Sequence, residues 1–243
     1  MKPAKSFLFF LCACLCFAQA RAQAPAGPVP VDSHSGPLYI SLSTGIAIPV
    51  AGFGSKDAGT SGNNLAKVGT DQNIQVDYRV WRFISLTALG GYQTNKYNYA
   101  AFNASPQAKE AGVSMGGGVY GAKRLLGGFT LSYSIGNGDR WYFTDRVLAG
   151  VQYQEPFARV AEGTTAPYDL LEEYFHNGFA TEVGFGFNYR FSRFWYLESG
   201  ADFFAATSRL RESTGPTSTG NAIYGGGASV STLNLHLGIG ARI

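Results

Sequence analysis

From residue 38 onward, apolar and polar residues alternate along much of the chain with a period of two. In an extended strand that period sends successive side chains to opposite faces of a sheet. Leu38, Ile40, Leu42, Ile46 and Ile48 interleave with Tyr39, Ser41, Ser43, Gly45 and Ala47. Ile74, Val76, Tyr78 and Val80 stand opposite Gln75, Asp77 and Arg79. In a third segment, from about Phe83 to Thr94, Ile84, Leu86 and Ala88 stand opposite Ser85 and Thr87. Later segments are cleaner. Thr181, Val183, Phe185, Phe187, Tyr189 and Phe191 alternate with Glu182, Gly184, Gly186, Asn188 and Arg190. Trp195, Leu197, Ala201 and Phe203 alternate with Tyr196, Glu198, Gly200 and Asp202, and Leu233 to Ile243 keeps the same rhythm. A tilted strand crosses a bilayer in about 9–11 residues, and these segments reach that length.

The connections fall into two kinds. Trp81-Arg82, Gly136-Asn137-Gly138-Asp139 and Ser192-Arg193 are tight, the second carrying the Asn-Gly hairpin signal. Residues of about 51–71, 95–122, 156–177 and 209–227 are long, polar and Gly-rich. Short turns alternating with long loops are the habit of bacterial outer-membrane barrels, whose turns face the periplasm. Trp81, Trp141 and Trp195 each adjoin one of the tight turns, which predicts an aromatic girdle at the periplasmic interface. Three turns and four loops separate eight strands. The stretch Ala111 to Ile135 is ambiguous, because a split at Leu126-Gly127-Gly128 would add a ninth strand. Bacterial single-chain barrels have an even count, so one membrane strand is expected at about 124–136, with Phe129, Leu131, Tyr133 and Ile135 outward. Residues 111–123 are then its extension into the second loop. Asp145 falls on the apolar phase of the strand from Trp141 to Gln154, where a bulge or an interfacial position would accommodate it.

The first 24 residues lie outside this scheme. Lys2 and Lys5 precede an unbroken apolar run from Phe7 to Phe17, and small-x-small sites follow at Ala20-Arg21-Ala22 and Ala22-Gln23-Ala24. These features predict a cleaved signal peptide over residues 1–24. Leu11-Cys12-Ala13-Cys14 loosely resembles a lipidation motif, but the apolar run before it is short. Residues 25–36 form a Pro-rich periplasmic leader, and 37–243 the barrel domain. All three cysteines leave with the signal, so the mature chain has no thiol or disulfide chemistry. Of the 19 basic residues, Lys2, Lys5 and Arg21 leave too, so 16 remain against 16 acidic ones. That balance gives no reason to expect nucleic acid as a partner.

A closed eight-strand sheet has one soluble rival, the ligand carrier with its apolar face turned inward. Here the apolar face is bulky and aromatic, whereas the other is rich in Gly, Ser, Thr and Asn. An eight-strand interior is only wide enough for its own side chains, and the small face suits it. Turned to water, the aromatic face would form an apolar patch far beyond the few hundred Å² usual for soluble monomers. The orientation is therefore apolar side out, toward lipid. The inward phase then carries Asp77, Arg79, Arg146, Glu182, Arg190, Glu198, Asp202 and Arg242, four of each sign. Unpaired charge is costly in a low-dielectric interior, so these residues predict a hydrogen-bonded network filling the lumen rather than an open pore.

No catalytic constellation emerges. His34 lies in the leader, His236 faces inward among glycines, and His176 follows Asp169, Glu172 and Glu173 in a loop without metal-ligand spacing. Gly184-Phe185-Gly186 and Gly225-Gly226-Gly227 lack the strand-to-helix context of phosphate loops. No cofactor is expected. Two rival activities stay in view: an enzyme acting on envelope lipids, and a narrow channel.

The terminal segment Leu233-Asn234-Leu235-His236-Leu237-Gly238-Ile239-Gly240-Ala241-Arg242-Ile243 resembles the last strand of the PorT-like outer-membrane β-barrel family. The hairpin Gly184-Phe185-Gly186-Phe187-Asn188-Tyr189-Arg190-Phe191-Ser192-Arg193-Phe194 resembles the family in the same way. Ile243 stands where members typically carry an aromatic residue. The resemblance implies an all-β, eight-stranded antiparallel up-and-down transmembrane barrel, inserted by the barrel-assembly machinery among outer-membrane lipid. It transfers no biochemical role, though one relative serves protein secretion. The expected partner is an unidentified protein or ligand at the extracellular loops.

Overall fold

The computed structural model describes residues 38–54, 65–106, 109, 114–115, 119–135, 140–154, 161–162, 176–208 and 229–243. The expected signal peptide and leader, the turn Gly136–Asp139 and most of the long connections lie outside these residues. Ten strands are described: β1 (Leu38–Pro49), β2 (Ala66–Arg79), β3 (Ile84–Tyr97), β4 (Ser114–Met115), β5 (Val119–Ser134), β6 (Trp141–Gln154), β7 (Ala161–Glu162), β8 (His176–Arg190), β9 (Trp195–Ser208) and β10 (Ser229–Arg242). One short helix, α1 (Tyr99–Ala104), follows β3. Eight of the strands close into a barrel in the order β1-β10-β9-β8-β6-β5-β3-β2, every neighbouring pair antiparallel. β4 pairs with β7, joining the second long connection to the third.

The register fixes the barrel's shape. From Ile48 the facing residues run Leu233, Phe203, Val183, Val147, Phe129, Leu86, Tyr78 and back to β1 at Leu38, ten positions before the start. A ten-residue stagger over eight strands, at ~3.3 Å per residue and ~4.8 Å between strands, tilts the strands by roughly 41°. Every member of that spiral ring is apolar or aromatic and points outward. The accessibilities confirm the inversion: Leu125, Phe179 and Leu237 are more than 60% exposed, whereas Glu182 and Asn234 are fully enclosed. The barrel is a transmembrane type, since only a lipid environment suits such an outer wall, and closure leaves no strand edge in hydrocarbon.

The single strand expected at 124–136 is present as β5, which begins at Val119, within the 111–123 stretch expected to extend it. β2 begins at Ala66 and β3 continues to Tyr97, in segments whose polarity suggested loop. A one-residue bulge between Ala66 and Gly69 lets β2 continue beyond this point. Asp145 faces outward between Leu131 and Phe185 in unbroken register, so no bulge turns it inward.

The interior is less uniformly polar than the sequence pattern suggested. Leu89, Leu126, Leu148 and Phe204 point inward and are almost wholly buried, in one cluster with Tyr97, Tyr120, Ala180 and Val230. Phe53, from a 3-10 turn at Ala51–Gly54, and Leu65 join them from the first long connection. The Phe53 and Tyr120 rings meet edge-on at 5.4 Å. Alternation alone missed this plug because the lumen, unlike the outer wall, accepts either polarity provided that polar groups find partners.

Candidate functional site

The lumen holds the only chemistry-bearing cluster evident among the described residues, and it is built in three parts. The central part is Arg146, at an inward position of β6. Across Gly184 on the next strand it faces Asp202 of β9. Its Nε and Nη2 donate to the two carboxylate oxygens of Asp202 at 3.0 and 2.5 Å, a bidentate fork. Its Nη1 donates to the Gln75 side chain. Glu182 lies 3.3 Å away and Glu198 3.7 Å. His236 of β10 stands between two carboxylates, its Nδ1 2.9 Å from Asp202 and its Nε2 3.3 Å from Glu198.

The second part centres on Arg124 of β5. Its Nη2 donates to Asp71 at 2.8 Å and to the Asn73 side-chain oxygen at 2.7 Å, and its Nη1 to Gln93 at 3.3 Å. The guanidinium also stacks over Phe204 at 4.8 Å. Glu182 links the two halves, 3.6 Å from Arg124 and 3.3 Å from Arg146. Around them neutral polar groups add further hydrogen bonds. Gln93 donates to Asn95, and Asn95 donates to the carbonyls of Ala47 and Lys67. Asp77 accepts from Thr87 at 2.5 Å and from Gln75 at 2.8 Å.

Glycines make room for these long side chains. A Cβ at Gly184 would collide with the Asp202 carboxylate, one at Gly91 would come within 2.7 Å of Arg124 Nε, and one at Gly200 within 2.6 Å of His236. The inward face is therefore small where it must let a neighbour cross it.

The third part is the rim at the tight-turn end. Arg79, Arg190 and Arg242 are the last residues of β2, β8 and β10. Arg79 and Arg242 both lie over the Tyr39 ring, at 4.9 and 5.6 Å, and Arg190 lies 5.8 Å from the Tyr142 ring. A cavity of about 70 Å³ runs from Gln75, Arg146 and His236 to this rim.

Of the eight inward charges read from the sequence, Arg146, Glu182, Glu198 and Asp202 therefore meet in one ionic cluster. Asp77 is held beside it by neutral donors, and Arg79, Arg190 and Arg242 stand apart at the rim. The cluster also contains Arg124, Asp71 and His236. Asp71 lies in a segment whose outward neighbours are polar, so no alternation marked its face; Arg124 stands at the edge of the expected strand, on its inward phase, and Gly91, which faces both Asn73 and Arg124, was the available signal.

Trp81, Trp141 and Trp195 all lie at the tight-turn end, each at least 42% exposed. Trp81 stacks on Phe83, and Trp141 packs on Phe187 and Tyr189. His176 opens β8 at the opposite end. His34 and the acidic residues Asp169, Glu172 and Glu173 lie outside the described residues. Among the described residues no group of His, Cys, Asp or Glu is arranged to hold a metal.

No family model and no curated protein matches the chain. Among solved structures it is similar to Neisserial surface protein A, at 11% identity over 87% of this chain and 100% of that one, with a TM-score of 0.49. It is similar to Ail, the attachment invasion locus protein of Yersinia pestis, at 11% identity over 86% and 99%, TM-score 0.42. A third similarity is to OprG from Pseudomonas aeruginosa, at 13% identity over 88% and 99%, TM-score 0.44.

Proposed function

We propose that the protein is exported by a cleaved signal over residues 1–24 and inserted by the barrel-assembly machinery into the outer membrane of a Gram-negative bacterium. There it acts without catalysis, as a surface protein whose four long connections present a binding face to a partner outside the cell. The observation that carries this reading is the filled lumen. Arg124, Glu182 and Arg146 form a buried ionic bridge across it, and an apolar plug of Leu89, Leu126, Leu148 and Phe204 packs beside them. A wall turned to lipid and an interior occupied by its own side chains leave the ends as the places where specificity is expressed. The proposal includes, as one form of this partnership, a surface role supporting a secretion complex.

The test combines two measurements. Photo-cross-linkers placed in the long connections of cells are expected to capture one or a few defined envelope or secreted proteins. The purified barrel in planar bilayers is expected to give no steady ion current. Discrete conductance steps, together with loops that capture only lipid, would replace this reading with a narrow channel.

A further inference from the structure

The arginines of the tight-turn rim take no part in the ionic bridge at the centre, and their placement is unlike that of the other inward charges. Arg124 and Arg146 each have carboxylates within 4 Å. Among the described residues, neither Arg79 nor Arg190 has one. The Nε of Arg79 is enclosed and has no hydrogen-bond partner among them. The two carboxylates lining the rim cavity are already engaged: Asp77 by Thr87 and Gln75, Glu198 by His236 and Arg146. The cavity thus carries an excess of positive charge at its mouth.

The Arg79 guanidinium lies over the Tyr39 ring at 4.9 Å and that of Arg190 over the Tyr142 ring at 5.8 Å. Both residues line the same cavity as Asn188, Ser85 and Ser132. A planar fork of donors with no carboxylate beside it is the arrangement that matches the oxygens of phosphate or carboxylate. The space of about 70 Å³ has room for several waters, since one needs on the order of 15 Å³, and so for an oxyanion in their place.

We propose that the tight-turn mouth of the lumen is an oxyanion-binding vestibule, in which Arg79 and Arg190 grip a phosphate-type group approaching from the periplasmic side. The site is separate from the loops at the other end and does not depend on what they bind. The oxyanion can be free in the periplasm or carried on a phospholipid headgroup, and the two sources are distinguishable.

The test uses the refolded barrel in maltoside micelles, which contain no phosphate, with inorganic phosphate as the probe and the arginine Nε–H signals of the NMR spectrum as the readout. Saturable shifts of the Arg79 and Arg190 signals are expected. Arg79→Gln and Arg190→Gln should each weaken binding about tenfold, the loss of one charge-assisted pair. Arg193→Gln, in the exposed turn, should leave it unchanged. Heat-modifiable gel migration shows that each variant is folded, and Arg190→Lys, which keeps charge but not the fork, gives an intermediate loss. Repeating the measurement in phosphatidylcholine bilayers separates the sources: signals already shifted before phosphate is added assign the headgroup, and signals that move only on addition assign the free ion. No saturable shift up to tens of millimolar phosphate would overturn the proposal. So would equal competition by chloride, or an Arg193→Gln effect as large as that of Arg190→Gln.

Discussion

At the scale of the residue, the lumen is organised by pairs that cross glycines. Arg146 and Asp202 sit two strands apart, and Gly184 between them leaves the gap through which the fork closes. Breaking a buried pair leaves an uncompensated charge. Arg146→Gln is therefore expected to cost about 3–5 kcal/mol in urea unfolding of the refolded barrel, Asp202 and Glu182 being left together. Adding Asp202→Asn to that variant should recover part of the loss. Gly184→Val should cost about 1–3 kcal/mol by overpacking, with the largest spectral changes at Arg146 rather than at the outer wall. Much of this was legible in the sequence: period-two alternation alone puts Arg146, Glu182, Glu198 and Asp202 on one face. It could not pair them, because pairing needs the stagger between strands, and that is a property of closure rather than of any one segment.

At the scale of the element, each strand is written in two registers of constraint. Within the hydrocarbon the outward side chains must be apolar, so the alternation is plain from Thr181 to Phe191. Toward the loop end the backbone ladder continues but that demand lapses. Thr70, Gln72, Thr94, Lys96, Lys123 and Asn177 all point outward there, and a strand with two polar faces reads as loop. This is why β2 and β3 extend beyond their sequence-based limits. The same contrast predicts how charge is tolerated along one strand. Val183→Arg, in the middle of the outward apolar ring, should destabilise the barrel by about 2–4 kcal/mol. Tyr189→Arg, near the tight turn, should cost only about 0–1 kcal/mol. Equal losses at both positions, measured by denaturant titration in lipid vesicles, would place the bilayer elsewhere on the barrel.

At the scale of the whole molecule, the strand count and closure followed from parity, but the distribution of charge along the axis did not. The centre gathers carboxylates around two arginines and His236, while the tight-turn rim gathers arginines over tyrosines. A list of equal numbers of each sign conceals that division. Closure itself has a further consequence. β1 is bonded on one side to β2, its neighbour in sequence, and on the other to β10, from Tyr39 opposite Arg242 to Pro49 opposite Thr232. During synthesis the first strand leaves the ribosome long before the last one exists, and one of its edges is left open for that interval. Exposed edges recruit other chains, and long-range pairing is slow to form. The newborn polypeptide thus carries an open β1 edge until the seam with β10 is sewn, and the interval between the two strands matters as much to the finished wall as any contact within it.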